Sequence, residues 1–257
     1  AAPAVWLASG HHYKIFKQEQ LELWEGPEPG LRHSLTLTGP IKNLTGRLRP
    51  GNWVKVIVMD TFLESCQGLD ALRQVTKLSI VNNFNLTACS SDLLVQKSLS
   101  IEGNGNLHTV EFLGNLSQVE KLDIKGNPLL RFVRLGLGSG TLRSVKISRN
   151  DKLESLEGLE NISEVAGQLV LKDNGNSSAI LAAFGNLARV GTLWLEGLGS
   201  LRSLDGFFDL HEAKDIHIVK NAGLISLPTL GNLSSLRNLR VESNGNLNTL
   251  EFLGNLS

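Results

Sequence analysis

Leu99-Ser-Ile-Glu-Gly-Asn-Gly-Asn-Leu-His-Thr-Val-Glu-Phe-Leu-Gly-Asn-Leu-Ser117 returns almost unchanged at Leu239-Arg-Val-Glu-Ser-Asn-Gly-Asn-Leu-Asn-Thr-Leu-Glu-Phe-Leu-Gly-Asn-Leu-Ser257. The two stretches agree at 14 of 19 positions over an offset of 140 residues, which suggests duplication of a block of coils. Each begins with an alternating Leu-x-Ile or Leu-x-Val segment, bends at an Asn-rich turn, and continues with apolar residues at three-residue spacing. Alternation turns the first and third side chains to one face and the middle one to the other, which is the habit of a half-buried strand. A unit this short cannot bury its own apolar face and must stack on copies of itself.

The whole frame reads L-x-L-x-x-N-x-x-L-x-x-L-x-x-L-x-x-L. Its first position falls at Leu78, Leu99, Leu122, Val145, Leu169, Leu193, Ile216 and Leu239, in steps of 21, 23, 23, 24, 24, 23 and 23 residues. Two weaker coils, led by Leu35 and Val56, precede these. Asn stands five residues after the leading position at Asn83, Asn104, Asn127, Asn150, Asn174, Asn221 and Asn244; Leu198 is the exception. An Asn there is expected to accept a turn conformation and to bond backbone groups, coil after coil, with Leu198 breaking the series. Stacking coils about 4.8 Å apart pairs the L-x-L segments into a parallel sheet. Leu78, Ile80, Leu99, Ile101, Leu122, Ile124, Leu193, Leu195, Ile216, Ile218, Leu239 and Val241 are then expected in the core. Leu153, Leu156, Leu159 and Ile162 fill its remainder. Gly and Asn interrupt every coil and exclude long helices.

Leu-Gly-Asn-Leu-Ser-Ser-Leu-Arg at 230–237 resembles plant-type leucine-rich repeats. The Leu three residues after the Asn, and the segment Leu159-Glu-Asn-Ile-Ser-Glu-Val-Ala-Gly-Gln-Leu-Val-Leu171, look more like the receptor L-domain. That family is found in growth-factor-receptor ectodomains and fungal cell-wall surface proteins. The resemblance covers residues 75–257 and implies a mainly β, right-handed parallel β-solenoid. About 8–10 coils of roughly 23 residues are expected, with few short helical turns. Residues 33–257 form the repeat region, clear from residue 75. Residues 1–32, with Trp6, Trp24 and a Gly-Pro-Glu-Pro-Gly turn, are an N-terminal cap or leader segment. The stop at Ser257 in mid-coil predicts an array that continues.

Composition narrows the function. Lys+Arg and Asp+Glu each total 25, a balance that argues against a nucleic-acid partner. No apolar run reaches the ~18 residues of a membrane span, so no membrane insertion is expected within this stretch. His11, His12, His33, His108, His211 and His217 form no metal-ligand spacing, and adjacent His11 and His12 are read as surface imidazoles. Neither a nucleophile elbow nor a P-loop occurs, and Gly103-Asn-Gly105 and Gly136-Leu-Gly138 sit in repeat turns. The chain is therefore read as a non-enzyme without cofactor or metal.

What remains is a surface. The middle residues of the L-x-L segments, Ser100, Asp123, Lys146, Val170, Trp194, His217 and Arg240, vary while the core positions stay fixed. So do Glu102, Lys125, Ser148, Lys172, Glu196, Val219 and Glu242, two residues further on. This is how a recognition face is built on a rigid stack; the plain alternative is a solvated sheet with weak ion pairs. Trp194, Glu196, His217 and Arg240 are the candidate patch for a protein or glycan ligand. Exposed aromatic and Arg side chains anchor interfaces, although stacking of Lys172 or Arg240 on the indole would shield it instead.

Sequons at Asn43, Asn85, Asn115, Asn161, Asn176, Asn232 and Asn255 point to a secreted glycoprotein, although Asn-Leu-Ser is also part of the repeat. Cys66 and Cys89 occupy near-equivalent places in adjacent coils, where a disulfide or two buried thiols are both compatible with the spacing. The leading reading is an extracellular or cell-surface recognition module. A structural cell-wall or matrix glycoprotein spacer comes second, and an intracellular leucine-rich adaptor third.

Overall fold

The computed structural model describes residues 12–27, 30–113, 116–138, 140–175, 177–227 and 233–248. It is a mainly β, parallel solenoid of about ten turns with coils of about 23 residues. One face is an 11-stranded sheet. Its strands are β1 (His12–Ile15), β2 (Arg32–Gly39), β3 (Asn52–Thr61), β4 (Gln74–Val81), β6 (Leu94–Glu102) and β8 (Lys121–Lys125), then β10 (Gly140–Asn150), β12 (Ile162–Asn174), β13 (Arg189–Glu196), β14 (Glu212–Val219) and β15 (Ser235–Glu242). A second sheet crosses the opposite side of the middle coils. It pairs β5 (Ala88–Ser91), β7 (Thr109–Phe112), β9 (Phe132–Leu135) and β11 (Ser155–Glu157). In the next coil its place is taken by helix α2 (Ser177–Ala182), where Ser-Ser-Ala-Ile-Leu-Ala replaces the β-branched and aromatic residues of β7 and β9. A second short helix, α1 (Gln18–Glu22), follows β1.

Cross-strand register turns the repeat frame into continuous inward columns. One runs Tyr13, Leu35, Val56, Leu78, Leu99, Leu122, Val145, Leu169, Leu193, Ile216, Leu239; the other runs Ile15, Leu37, Val58, Ile80, Ile101, Ile124 and on to Val241. From Leu35 to Ile218 these side chains are buried. Removing water from each stabilises the fold by about 1.5–3 kcal/mol. Leu153, Leu156, Leu159 and Ile162 are buried as well. Leu239 and Val241 depart from expectation, being only partly buried. They lie on β15, which no further described strand covers.

The sequence segment that does not fit the frame supplies the first strand. Tyr13 and Ile15 of β1 continue the two core columns, with Tyr in the slot that Leu or Val fills elsewhere. Tyr13, Trp24, His33 and Trp53 form an aromatic cluster with ring centroids 5.4–6.1 Å apart. Gln18 of α1 ties this end to the next turn by bonding the backbone of Lys42 and Asn43. Cys66 and Cys89 are disulfide-bonded, with Cα atoms 4.7 Å apart. The isolated pairing of Ser65 with Ala88 brings the two coils together there.

Candidate functional site

The Asn column is an internal ladder. Asn83, Asn104, Asn127, Asn150 and Asn221 are fully buried. Each Oδ1 accepts the backbone N–H of the equivalent residue one coil back: Asn83 by Asn104, Asn104 by Asn127, Asn127 by Asn150, Asn150 by Asn174, and Asn221 by Asn244, at 2.9–3.3 Å. Each Nδ2 donates to a carbonyl of the preceding coil, as Asn104 does to Ile80 and Asn127 to Ile101. Leu198 donates its N–H to Asn221 but has no side-chain oxygen to offer Asn174, so the side-chain series stops there and resumes one coil later. The left-handed conformation falls elsewhere than expected. It belongs to the residue before each ladder position: Asp60, Asn82, Gly103, Gly126, Arg149, Asp173, Gly197, Lys220 and Ser243, with φ between 50° and 70°. A ladder Asn can then keep an ordinary backbone while its side chain points inward. The ladder is structural: it fixes coil spacing and leaves the opposite face free to vary.

That face is the outer side of the large sheet. Trp194, His217 and Arg240 are register partners on β13, β14 and β15. Trp194 and His217 stack with centroids 4.6 Å apart and planes 27° from parallel. The indole Nε1 donates to Glu196 Oε2 at 3.0 Å, so the half-buried Trp194 is covered by His217 rather than by Lys172 or Arg240. The Glu196 side chain is only 12% exposed and pairs with Lys172 at 2.9 Å and Lys220 at 3.7 Å. The hydrogen bond from Lys172 holds its carboxyl below the usual carboxylate range against the opposing effect of burial. Arg240 bonds Glu242 at 2.7 Å instead. Three of the four candidate residues thus form one contact cluster, and the fourth lies in register beside it. His217 Nδ1 is buried without a hydrogen-bond partner.

A second feature lies on the same face and was not singled out from the sequence. A depression of about 480 Å³ opens over β6, β8, β10 and β12. Its lining combines small residues, Ser98, Ser100, Ser144 and Gly167, with the buried Leu122, three cations, Lys121, Arg143 and Lys146, and one carboxylate, Asp123. Small outward side chains create the space. β12 also bulges at Ala166 and Gly167, and a Cβ on Gly167 would lie 2.5 Å from the Arg143 carbonyl. Burial, and secondarily the charge of Glu102, raise the Asp123 carboxyl above its ordinary value. The residues just before each leading Leu, namely Ser98, Lys121, Ser144 and Gln168, make a third outward column here, and this is the one the repeat reading passed over.

Outside the second sheet, Arg134 bonds Glu157 at 2.8 Å and Arg131 pairs with Glu154 at 2.8 Å. Asn43, Asn85 and Asn161 are exposed and lie between strands. Asn115, Asn176, Asn232 and Asn255 lie outside the described residues. Among the described residues no sequon asparagine lies on a strand of the large sheet, although Asn161 directly precedes β12 and its sequon is completed by Ile162 and Ser163 on that strand. Among the described residues, no three His, Cys, Asp or Glu side chains are placed to hold a metal ion. No described helix is long and apolar enough to cross a membrane. Fold and face define a parallel β-solenoid with an internal Asn ladder and a variable outer sheet. In comparison with known proteins, the chain matches no family model and no solved structure.

Proposed function

We propose that this solenoid is an extracellular or cell-surface recognition module of receptor L-domain-like type, binding a protein or glycan through the outer face of its large sheet. The observation that carries the reading is the distribution of variation and sequons. The core columns and Asn ladder are nearly invariant from coil to coil, whereas the outward columns change residue type at almost every step. The described sequon asparagines, Asn43, Asn85 and Asn161, lie between strands, and none is on that broad face. The Cys66–Cys89 bridge is in keeping with an oxidising environment.

The test masks the face with sugar. Lys146→Asn creates an Asn-Ile-Ser sequon, completed by Ile147 and Ser148, in the middle of the sheet. The chain is produced in a eukaryotic secretory host and screened against arrayed glycans and extracellular proteins. Glycosylation at position 146 is expected to abolish binding of whatever ligand the screen finds, whereas Asn85→Gln leaves that binding unchanged. A masked face that binds as well as the parent would overturn the proposal and favour a spacer role.

A further inference from the structure

Charge is distributed unevenly along the outer sheet. Toward β15 most cations are paired within the protein: Lys172 with Glu196, Arg189 with Glu164, Arg237 with Asp215 and Arg240 with Glu242, while Lys214 is exposed without such a pair among the described residues. From β3 to β10 most are not, Lys125 with its 2.9 Å pair to Glu102 being the exception. Lys55, Lys77, Lys121, Arg143 and Lys146 are exposed, and none forms an ion pair with a described residue. Lys55 and Lys77 are direct register partners, and the same column continues through Ser98 to Lys121. Three strand steps separate Lys55 from Lys121, roughly 14 Å. Like charges placed opposite each other destabilise a sheet. A chain with equal numbers of acidic and basic residues has the means to pair them, and here it does not.

The lysine column leads into the depression on β6 to β12. About 480 Å³ falls within the size range of small-ligand sites, which run from roughly 300 to 1,000 Å³. Three cations face one carboxylate, Asp123, whose charge is opposed by its burial. Asp123 lies opposite Lys146 in register without closing an ion pair, so both retain capacity for an external partner. The remaining polar groups are hydroxyls and one amide, from Ser98, Ser100, Ser144 and Gln168. No aromatic side chain lines the site, and its one large apolar residue, Leu122, is buried in the core, which disfavours stacked bases and greasy ligands. Cations together with hydroxyl-binding groups, one of them a carboxylate, suit a ligand that carries both anionic groups and hydroxyls.

We propose that the depression and the lysine column leading to it bind an acidic polysaccharide. Its carboxylate or sulfate groups meet Lys121, Arg143 and Lys146, and its hydroxyls meet Asp123 and the serines. A linear sugar chain laid along the solenoid axis would pass Lys77 and Lys55 next. This proposal rests on the reading of the sheet face as a recognition surface and names its ligand class.

Isothermal titration of the full chain with hexasaccharides of polygalacturonate and of heparin separates carboxylate from sulfate recognition. A neutral cellulose hexasaccharide and a single-stranded DNA of equal charge serve as comparisons. One or both acidic sugars are expected to bind, with affinity falling as salt rises. The Lys121→Ala/Lys146→Ala pair should weaken binding at least tenfold, and Arg134→Ala on the opposite sheet should leave it unchanged. Asp123→Ala decides between recognition and simple charge attraction. Removing a negative charge tightens a purely electrostatic contact, whereas loss of a hydroxyl acceptor weakens binding, here by at least threefold. Tighter binding by Asp123→Ala, equal binding of the DNA, or no binding of either acidic sugar to protein with an unaltered melting point would each overturn the proposal. If the acidic sugars fail but glycosylation at position 146 still abolishes binding of a screened ligand, the ligand class is wrong and the recognition face stands.

Discussion

Asn127→Ala tests the ladder at its best-bonded point. Asn127 Oδ1 accepts from the backbone N of Asn104 at 3.0 Å and from its Nδ2 at 3.2 Å. Its own Nδ2 donates to the Ile101 and Lys125 carbonyls and to Asn150 Oδ1 at 3.1–3.2 Å. Truncation strands the Asn104 amide in a fully buried position, at about 1–3 kcal/mol, and each weakened carbonyl contact adds a few tenths or more. The total is about 3 kcal/mol, or a loss of roughly 6–12 °C in melting temperature for a chain of this size. Asn221 offers a graded comparison. Its Oδ1 accepts only from the Leu198 amide among these ladder contacts, and its Nδ2 donates to the Leu195 carbonyl, so Asn221→Ala should cost about 1 kcal/mol less. Asn127→Asp adds a sign. It keeps the acceptor but turns a buried oxygen toward two carbonyls and Asn150 Oδ1, which raises the new carboxyl's folded pKa. The variant is then most stable below the unfolded value of about 3.9, and loses stability as pH rises through the raised folded value. Urea unfolding followed by circular dichroism reads all three. A cost for Asn127→Ala under about 1 kcal/mol, or a larger cost at Asn221, refutes the ladder as a source of stability.

Removing the disulfide with Cys66→Ala/Cys89→Ala opens a loop with a sequence separation of 23 residues and should destabilise the chain by about 3 kcal/mol, read as a lower urea midpoint. Glu196 has a carboxyl depressed chiefly by the Lys172 hydrogen bond, so its contribution is present above the unfolded pKa and lost as pH falls through the folded value. Glu196→Gln should flatten the acid limb of the stability curve measured by denaturant titration; an unchanged limb counts against the pairing. Arg149 holds φ at 55°, and Arg149→Gly should gain up to about 1 kcal/mol, measured by the melting temperature.

Core and ladder were legible because both obey a strict period. The leading positions from Leu78 to Ile216 recur every 21–24 residues, and burial needs only the face, not the neighbours. Tyr13 was hidden because an aromatic stands in a Leu slot, and β1 with it. The turn chemistry was misplaced by one residue: Gly103, Gly126 and Gly197 mark the left-handed position, but Arg149, Lys220 and Ser243 share it without any compositional sign. The second sheet was concealed by three-residue apolar spacing, which β9 and β11 satisfy as extended chain. Trp194, Glu196 and His217 were placed together from alternation alone. The depression was not, since it depends on a strand bulge at Gly167 and on small residues from separate coils coming into one column.

The missing rung at Leu198 makes one joint of the array different in kind from the rest. Between β12 and β13 the internal side-chain bonds lapse, and there the outer surface supplies two stitches, Lys172 to Glu196 and Arg189 to Glu164. The joint between Asn104 and Asn127 has a surface ion pair of its own, Lys125 to Glu102, but adds to it neutral amides sealed from solvent that ionic strength scarcely reaches. This one is clamped partly by charges that counter-ions reach. Under an axial load the coils from β13 onward would part from the disulfide-bearing end as a block, and they would do so more readily in brine than in fresh water.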